Sequence, residues 1–355
     1  MASNRVVGLD IGSSSLKAAQ VRREADGSVV VEKTHSQHLP RGIVSNGRVV
    51  EDKGGQLSTH IADFWKQAGF STQEVIVGVG NAADALARPT TLPQMLPDDI
   101  EEALPHLLKT QPSLSQINVD DFDIAFYPTA EVMDGSKKRL RGLVFAARKE
   151  ATEGLAEVIK DAGLKMVGLT LTPLAMLRSM AAPYTDAKVV HAIVDIGATL
   201  TTVILHEQGV PASINIIESQ GGDDITLTLT DTLGNDNVRE VDEKKRNARA
   251  TDGDLYNAID FYEKGLAAAI KGAVDSFFRE NEHLEAGIAS VTLMGGGCLI
   301  HGFQNKLAAA LNNIDVSWGT YDPSIRSTKG GVPERFNSSG QDLALAIGLA
   351  ASDRF

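Results

Sequence analysis

The sequence predicts a duplicated α/β fold in which two lobes surround a cleft and the first lobe carries a small inserted subdomain. The main observation is an internal repeat: GLDIGSSSLKAAQV at 8–21 and IVDIGATLTTVILH at 193–206 each place an Asp-x-Gly turn between two apolar runs. The aspartates of the two turns are Asp10 and Asp195. A length of 355 residues also favours two lobes, because single compact domains are usually shorter.

The composition argues against several classes of protein. A formal net charge of -12 disfavours general nucleic-acid binding and adhesion to an anionic membrane, since both need a basic surface. The single cysteine, Cys298, excludes an intramolecular disulfide and a cysteine-cluster metal site, and it fits a reducing, cytoplasmic setting. The N-terminal residues lack the apolar core of a signal peptide, and no apolar run approaches the roughly 18 residues of a membrane span. We therefore expect no direct membrane insertion.

The first lobe is predicted over 1–88 and 151–186. It begins with three antiparallel strands joined by tight turns, then a helix and a further strand, in the segments VVGL, LKAAQV, SVVVEKT, QLSTHIADFWKQAGF and EVIVGVG. After the insertion it resumes with a helix, a strand and a helix that has proline in its first turn, in the segments ATEGLAEVIKDAGL, KMVGLTL and PLAMLRSM. These patterns predict one α/β lobe with a single interruption.

The inserted subdomain is predicted over 89–150. Its first part is rich in proline, with Pro89, Pro93 and Pro97 close together. In the segment PDDIEEAL, the two acidic residues after proline suit the first turn of a helix, because carboxylates interact favourably with a helix N-terminus. The segments FDIAFYPTA and LRGLVFAA are expected to be strands on either side of the basic turn GSKKR.

The second lobe is predicted over 187–355, and its start repeats the three strands of the first lobe. A helix that opens on Gly221 and Gly222, a charged helix in VREVDEKKRNA and a longer helix follow. The strand ASVTLM, a glycine triplet and the helix LIHGFQNKLAAALN come next. A surface loop is expected at 323–339, and a terminal helix at 341–351 is expected to pack back on the first lobe.

Two Asp-x-Gly turns that face each other would clamp a polyphosphate. Backbone N–H groups of a glycine turn form a concave anion site, and hydroxyl groups add donors. The donors are Gly12, Ser13, Ser14 and Ser15 in the first turn, and Gly197, Ala198, Thr199, Thr201 and Thr202 in the second. Asp10 and Asp195 would repel phosphate directly, but they can hold Mg²⁺ opposite it, through water. Lys17 can reach the phosphates as a point charge.

Each of these features alone has a simpler explanation. A single Asp-Gly turn is usually a hairpin, serine and threonine are ordinary turn residues, and Lys17 fits a solvated strand position. The triplet Gly295, Gly296 and Gly297 allows a flat ligand to approach the backbone, yet glycine-rich turns are common, and Gly221–Gly222 fits an ordinary helix entry. The repetition of one turn in matching surroundings is what favours a binding site.

Together, the two turns, the glycine pair and the glycine triplet resemble the actin-like ATPase superfamily, whose duplicated lobes are ribonuclease H-like and whose members include actin, Hsp70, sugar kinases, MreB and FtsA. The resemblance implies that ATP or ADP binds with Mg²⁺ between the lobes. It implies that the first phosphate loop corresponds to Asp10, Gly12, Ser13, Ser14 and Lys17. The second phosphate loop corresponds to Asp195, Gly197, Ala198 and Thr199. The adenosine loop corresponds to Gly295, Gly296 and Gly297.

Members of this superfamily also place a lysine from a charged helix near the adenine base of the nucleotide, and the segment VDEKKR is similar to that helix. Lys245 is the better candidate for this position and Lys244 is the alternative. A solvated charged helix would also account for both lysines.

Within the superfamily, the sequence resembles the PilM family of type IV pilus assembly proteins. The segments GLVFAARKEATEGLAEVIKDAGLKMVGLTLTPLAMLRSM and RPTTLPQMLPDDIEEAL carry this resemblance. The insertion at 89–150 stands where PilM and FtsA have a subdomain that actin lacks. The resemblance implies an ATP-binding scaffold of a pilus or related secretion machine, which works on the inner face of the cytoplasmic membrane.

The resemblance also implies the partner, the N-terminal cytoplasmic tail of a PilN-like inner-membrane protein that would recruit the chain to the membrane. The tail would dock as an extended peptide between the first lobe and the inserted subdomain. The segments LVFAA and LARPTTL are candidate walls of that groove, and they are otherwise a core strand and a linker. Pilus motor ATPases and further copies of the chain are additional candidate partners.

One departure from the superfamily concerns hydrolysis. Many hydrolysing relatives have Glu-Pro in the helix after the last strand of the first lobe, where the glutamate orients water, whereas this sequence has Thr172-Pro173. Because threonine is no general base at neutral pH, we expect slow hydrolysis at most. Two alternatives remain: an FtsA-like filament protein, disfavoured because the sequence stops at DRF without an amphipathic membrane helix, and a small-molecule kinase, disfavoured because no catalytic aspartate stands out.

Overall fold

The computed structural model describes residues 4–51, 53–81, 84–109, 118–180, 189–207, 209–249, 252–281, 284, 287–300, 302–328 and 343–352. The first half forms β1 (Arg5–Ile11), β2 (Ser15–Arg23), β3 (Val29–His38), β4 (Val44–Ser45), β5 (Arg48–Val49), α1 (Gly54–Ala68), β6 (Glu74–Val79), β7 (Ala85–Pro93), α2 (Pro97–Lys109), β8 (Phe122–Asp134), β9 (Lys137–Arg148), α3 (Lys149–Asp161), β10 (Lys165–Leu171) and α4 (Thr172–Ser179). The second half forms β11 (Val190–Ile196), β12 (Leu200–Glu207), β13 (Val210–Glu218), α5 (Gly222–Leu233), α6 (Val238–Asn247), α7 (Asp254–Glu280), β14 (Ile288–Met294), α8 (Phe303–Ala310), β15 (Asp315–Trp318), β16 (Ile325–Ser327) and α9 (Ala344–Ala350).

The two large sheets share one topology. The first has the strand order β10-β6-β1-β2-β3-β16 and the second the order β13-β12-β11-β14-β15. In each sheet the first three strands of the lobe are antiparallel neighbours, and two later strands follow in parallel on the other side of the first strand. Because the same order of pairings occurs twice, the structure confirms the duplicated α/β fold that the repeated turns predict.

Helices cover both faces of the first sheet. On one face, α1 contributes the buried side chains Leu57, Ile61 and Phe64, whose helical spacing is visible in the sequence. On the other face lies α9, which packs against β1 and α4. The second lobe buries α5, α7 and α8 against its own sheet in a separate apolar cluster. Each sheet is therefore the centre of its own hydrophobic core.

Two glycines allow the terminal helix to lie directly on the first lobe. A Cβ atom on Gly8 of β1 would stand 2.0 Å from the backbone oxygen of Ala346, and one on Gly348 would stand 1.8 Å from that of Ala175 in α4. Only glycine permits such close approach of backbones. The helix runs over Ala344–Ala350, within the predicted 341–351, whose first two residues lie outside the described chain.

The inserted subdomain is a three-stranded antiparallel sheet in the order β7-β9-β8, with α2 packed on it. Leu92, Leu104 and Val144 form part of its own small core. The sheet begins at Ala85, before the predicted boundary at 89, because β7 pairs with β9 along its whole length. The boundary lies inside a continuous strand, and the prolines near it do not interrupt the pairing.

One expectation for the second lobe is wrong. The segment 323–339 was expected to be a surface loop, but Ile325–Ser327 forms β16, which pairs in parallel with Val29–Val31 of β3. A three-residue strand is too short for a period-2 pattern to show in the sequence. Part of 187–355 besides the terminal helix therefore belongs to the sheet of the first lobe. Residues 329–342 lie outside the described chain.

Candidate nucleotide cleft

The two Asp-x-Gly turns have the same backbone geometry. In the first, the N–H of Gly12 donates to the carbonyl oxygen of Ser15 at 3.1 Å; in the second, Gly197 donates to Leu200 at 2.8 Å. A Cβ on either glycine would stand 3.1 Å from the same acceptor oxygen, so both turns are too tight for a side chain to enter easily. Two equivalent strand pairs therefore present two equivalent turns.

Both turns open into one cavity of about 520 Å³. The predicted site residues that line it are Asp10, Gly12, Ser13, Ser14, Ser15, Lys17, Asp195, Gly197, Ala198, Thr199, Gly222, Lys245, Gly295, Gly296 and Gly297. Thr202, predicted as a further hydroxyl donor, lines it as well, whereas Thr201 is buried and donates to the carbonyl of Gln220. The structure thus brings together segments from the start, middle and end of the chain.

A direct contact joins the two turns across the cleft. The hydroxyl oxygen of Ser13 lies 2.9 Å from that of Thr199. Ser13 is 9% exposed and Thr199 is partly exposed, so water has limited access to this contact. The two lobes therefore touch through adjacent positions of the repeated turn, and both turns line a common cavity.

The carboxylates of the turns have the chemistry that a hydrated Mg²⁺ requires. Asp10 and Asp195 line the cavity from opposite lobes, and Asp10 lies 3.5 Å from the ammonium group of Lys17, its cross-strand partner. Carboxylate oxygen is the ligand that Mg²⁺ prefers, usually with several waters retained. Within the described chain, no group of three or more His, Cys, Asp or Glu side chains is arranged to hold a metal directly. The residues fit a water-mediated ion.

Glycines shape the wall formed by the second lobe. Gly295 has a φ of 83°, and a Cβ there would stand 2.5 Å from a carboxylate oxygen of Asp195. A Cβ on Gly297 would stand 2.5 Å from Ile196, and one on Gly222 would stand 3.1 Å from the Cα of Gly297. Gly295 and Gly297 therefore lie directly against the second turn, and a larger residue at either position would displace it.

Gly221 has a different position from the other predicted residues, because it does not line the cavity. Its N–H donates to the carboxylate of Asp224 at 2.7 Å, and its carbonyl accepts from the hydroxyl of Tyr262. A Cβ on Gly221 would stand 2.2 Å from the carbonyl oxygen of Ala198. The geometry supports a packing role for Gly221 at the start of α5, which agrees with its simpler explanation as part of an ordinary helix entry.

The charged helix α6 orients its two candidate lysines differently. Lys245 is 2% exposed, and its ammonium group donates to the carbonyl of Gly222 and the hydroxyl of Thr226, both at 2.7 Å. Burial lowers the pKa of Lys245, and the nearby Asp242 carboxylate, at 2.7 Å, opposes this shift. Lys244, the alternative, is half-exposed and pairs with a glutamate on its own helix. Of the two lysines, only Lys245 reaches the cavity wall.

The comparison with known families gives one decisive match. The model of a family described as type IV pilus assembly protein PilM matches residues 8–354. The chain belongs to the PilM family. The match includes both turns, the inserted subdomain and the terminal helix.

Similar proteins share the fold of this PilM-family chain. The solved PilM-PilN type IV pilus biogenesis complex matches with a TM-score of 0.77 and 22% identity over 97% of each chain. MreB5 of Spiroplasma citri bound to ADP matches with a TM-score of 0.51 and 11% identity, over 97% of this chain and 94% of that one. Cell division protein FtsA of Streptococcus pneumoniae is 23% identical over 247 residues, which cover 64% of this chain and 52% of FtsA. The chain thus spans about half the length of that relative.

Thr172, at the position where the resemblance to the actin-like superfamily implies glutamate in hydrolysing members, lies on the cavity wall. It is the first residue of α4, and a Cβ on Gly80 would stand 1.6 Å from its hydroxyl oxygen. Thr172 therefore packs directly over a glycine at the end of β6. The chain thus places on the cavity wall a side chain that lacks the proton affinity of a general base.

Arg41 and Asp223 are among the cavity residues that the sequence-based prediction missed. Arg41, in the segment between β3 and β4, forms an ion pair at 3.0 Å with Asp223 in the first turn of α5. Both side chains line the cavity. The acidic residue directly after Gly222 was a signal that could have been used, but Arg41 belongs to no motif, and only the tertiary structure brings it to the cleft.

A second, smaller cavity of about 190 Å³ lies beside the inserted subdomain. Its walls come from the first lobe (Gly80, Leu171 and Pro173), from β7 (85–88) and from β13 (214–216). Both β7 and β13 are edge strands of their sheets. By contrast, the predicted wall segment LVFAA lies in the central strand β9 and is buried, so the core-strand explanation holds for it. Among the described residues, no helix is long and apolar enough to cross a membrane.

Proposed function

We propose that this chain is a nucleotide-binding scaffold of type IV pilus assembly, which holds ATP or ADP with Mg²⁺ between its lobes and binds the cytoplasmic tail of a PilN-like membrane protein. Membership of the PilM family and the similarity to the PilM-PilN complex over 97% of the chain support the scaffold function. The proposed location is the inner face of the cytoplasmic membrane, to which the partner recruits the chain.

The observation that carries the nucleotide proposal is the pair of equivalent turns on one cavity, joined by Ser13 and Thr199. Backbone N–H groups of the turns would donate to the phosphate oxygens from both sides. Mg²⁺, when bound, would neutralise part of the phosphate charge. Asp10 and Asp195 would hold its water shell, and Lys17 would supply a further positive charge. Similarity to a nucleotide-bound MreB5 supports this use of the cleft.

The same cavity supports retention of nucleotide more than turnover. Hydrolysis of a phosphoanhydride in this fold requires a side chain that orients or deprotonates water, and Thr172 cannot accept a proton at neutral pH. A ligand that binds only the folded protein stabilises it by mass action. A nucleotide that contacts both turns would therefore stabilise the arrangement of the two lobes around it. We infer that the nucleotide serves mainly to hold the two lobes together.

The second cavity is the proposed site of the partner tail. An extended peptide can add to the exposed edge of β7 through main-chain hydrogen bonds, and apolar pockets then select its side chains. Ala85 and Ala87 from β7, Leu171 from β10, and Ile214 and Ile216 from β13 give this cavity an apolar lining suited to such a peptide. This cavity adjoins the first lobe, the insertion and β13 of the second lobe, which supports its choice as the docking site.

Isothermal titration calorimetry with Mg-ATP tests the nucleotide proposal. We expect Asp10→Ala and Asp195→Ala to abolish detectable binding, because each removes a carboxylate that holds the metal. Asp63→Ala, at an exposed aspartate of α1, is the matched control and should bind as the unaltered chain does. Unchanged affinity in both cleft variants would contradict the proposal.

Capture of partners from solubilised membranes tests the scaffold proposal. The unaltered chain should retain an inner-membrane protein with a short cytoplasmic N-terminal tail, and a synthetic peptide of that tail should compete. Ile216→Lys should weaken retention, because it places a charge in the apolar second cavity. Equal retention by the variant would exclude this cavity as the docking site.

A further inference from the structure

A charged contact connects the lobes independently of the repeated turns. Arg41 of the first lobe and Asp223 of the second form an ion pair at 3.0 Å between Nη2 and Oδ2. The two side chains are 31% and 18% exposed, so solvent screens the pair only in part. Because both residues line the nucleotide cavity, the pair bridges the cleft rather than an outer surface.

The segment that carries Arg41 is attached to the first turn. The N–H of Leu39 donates to the carbonyl oxygen of Ser14 at 2.9 Å. Gly42, directly after Arg41, has a φ of 79°, so the chain reverses its course at a conformation that favours glycine. Displacement of the first turn would therefore move the guanidinium group with it.

Asp223 is attached to the second turn in the equivalent way. Its N–H donates to the carbonyl oxygen of Ala198 at 2.7 Å, and the N–H of Gly222 donates to that of Gly197 at 2.9 Å. Asp223 also lies in the first turn of the 12-residue helix α5, where the helix dipole favours a carboxylate. The ion pair thus links the two turns by a second route, outside the Ser13–Thr199 contact.

The charges and the burial around Asp223 and Arg41 affect how strongly the two side chains pair. Burial raises the pKa of Asp223, and the negative charge of Asp242 raises it further. The positive charges of Arg41 and Lys245 lower the pKa of Asp223 and favour its charged form. The second terminal nitrogen of Arg41, Nη1, is buried and has no hydrogen-bond partner within the described chain. A guanidinium group has five N–H donors, so Arg41 can bind Asp223 and still donate to a ligand oxygen in the cavity.

We propose that Arg41 and Asp223 form a latch across the cleft, which keeps the lobes closed on a bound nucleotide and slows its release. The inference rests on the proposed nucleotide-binding function. Arg41 is a positioning residue in this role, because it acts through the relative placement of the two turns. The Ser13–Thr199 contact is between neutral groups, so the latch is the salt-sensitive part of the closure.

Stopped-flow displacement of a fluorescent ADP analogue by excess Mg-ATP measures the release rate in the full chain. We expect Arg41→Gln and Asp223→Asn each to speed release by about three- to tenfold, the range for loss of a partly shielded charge pair. The double variant should be no faster than the faster single variant, since both break one interaction. Arg41→Lys should retain most of the slow release. High salt should speed release in the unaltered chain more than in Arg41→Gln.

The control is Arg326→Gln, which breaks an ion pair of the same residue types and similar length, 2.9 Å to Asp26, far from the cleft. It should release nucleotide at the unaltered rate. Release within twofold of the unaltered rate in both cleft variants would overturn the latch alone. Additive effects, or a failure of lysine to substitute, would reduce Arg41 to a structural residue and also overturn it. No binding by the unaltered chain would overturn the proposed function itself, and the latch with it.

Discussion

The hydroxyl oxygens of Ser13 and Thr199 lie 2.9 Å apart, and the two residues occupy adjacent positions in turns that the chain forms twice. The contact follows from the duplication, because two equivalent turns at the ends of equivalent strands meet around a pseudo-symmetric cleft. Ser13 is buried and Thr199 is partly exposed, so the Ser13 hydroxyl depends on Thr199 for part of its hydrogen bonding.

We predict that Thr199→Val lowers the affinity for Mg-ATP by about five- to tenfold, because one hydrogen bond contributes about 1 kcal/mol. Ser13→Ala should have a similar effect, and the double variant should cost little more than either single one. Calorimetric titration of the three variants checks this. Fully additive losses would show that the hydroxyls act on the ligand separately rather than through each other.

We predict that ATP turnover by the unaltered chain is well below about 1 s⁻¹, at the low end of ordinary enzyme rates, because Thr172 supplies no general base. Thr172→Glu should raise the steady-state rate of phosphate release, since it places a carboxylate on the cavity wall. Thr172→Gln is the control of equal size without a base, and it should remain slow. Turnover at about 1 s⁻¹ or more in the unaltered chain would contradict the scaffold function.

The duplicated fold could be predicted from the sequence because its signal is repeated. Asp10 and Asp195 stand in matching strand–turn–strand patterns, and a coincidence of that length is improbable. The glycine triplet is placed in the site by its position late in the second half and by the resemblance, and in the structure Gly295 and Gly297 pack too closely against the second turn to accept a side chain. A repeated turn and a run of glycines are both visible in the local sequence, so they can be recognised before any tertiary contact is known.

Features that depend on tertiary contacts could not be predicted. Arg41 and Asp223 are far apart in sequence, and no motif marks the arginine. Helical periodicity favours Lys245, four residues after the apolar Val241, but only the packed structure shows that its ammonium group is buried against the carbonyl of Gly222. The three-residue strand β16 depends on the exposed edge of β3 and not on a pattern of its own.

We predict that the second lobe loses stability on mild acidification. His206 is 2% exposed and stacks on His191, with ring centroids 5.8 Å apart. Burial, and then the charge of His191, lowers the pKa of His206 to about 4, whereas an unfolded histidine titrates near 6.5. Between these values the unfolded chain binds the extra proton, so the free energy of unfolding falls as pH falls from about 6.5 to about 4. The loss reaches about 3 kcal/mol.

Urea denaturation at pH 7.5 and pH 5 measures this effect. His206→Gln should reduce the difference between the two midpoints, because it removes one titrating group. His106→Gln, at an exposed histidine of α2, should leave the difference unchanged. If His206→Gln kept the whole difference between the two midpoints, groups other than His206 would be its cause.

We predict that Gly348→Ala destabilises the chain by about 1–3 kcal/mol, the usual cost of overpacking. The added methyl group would stand 1.8 Å from the carbonyl oxygen of Ala175, and because this is backbone, α9 must move away from α4. The nucleotide site should respond as well, since Leu345 and Leu349 of the same helix line the main cavity.

The matched control for this substitution is Gly272→Ala in the long helix α7, where a Cβ atom would meet nothing within 4 Å. That variant should be slightly more stable, because alanine is the better helix former. Thermal unfolding with and without Mg-ATP measures both effects. Gly348→Ala should lower the melting temperature and reduce the shift caused by nucleotide. An unchanged nucleotide shift in a destabilised variant would show that α9 supports the first lobe without shaping the cleft.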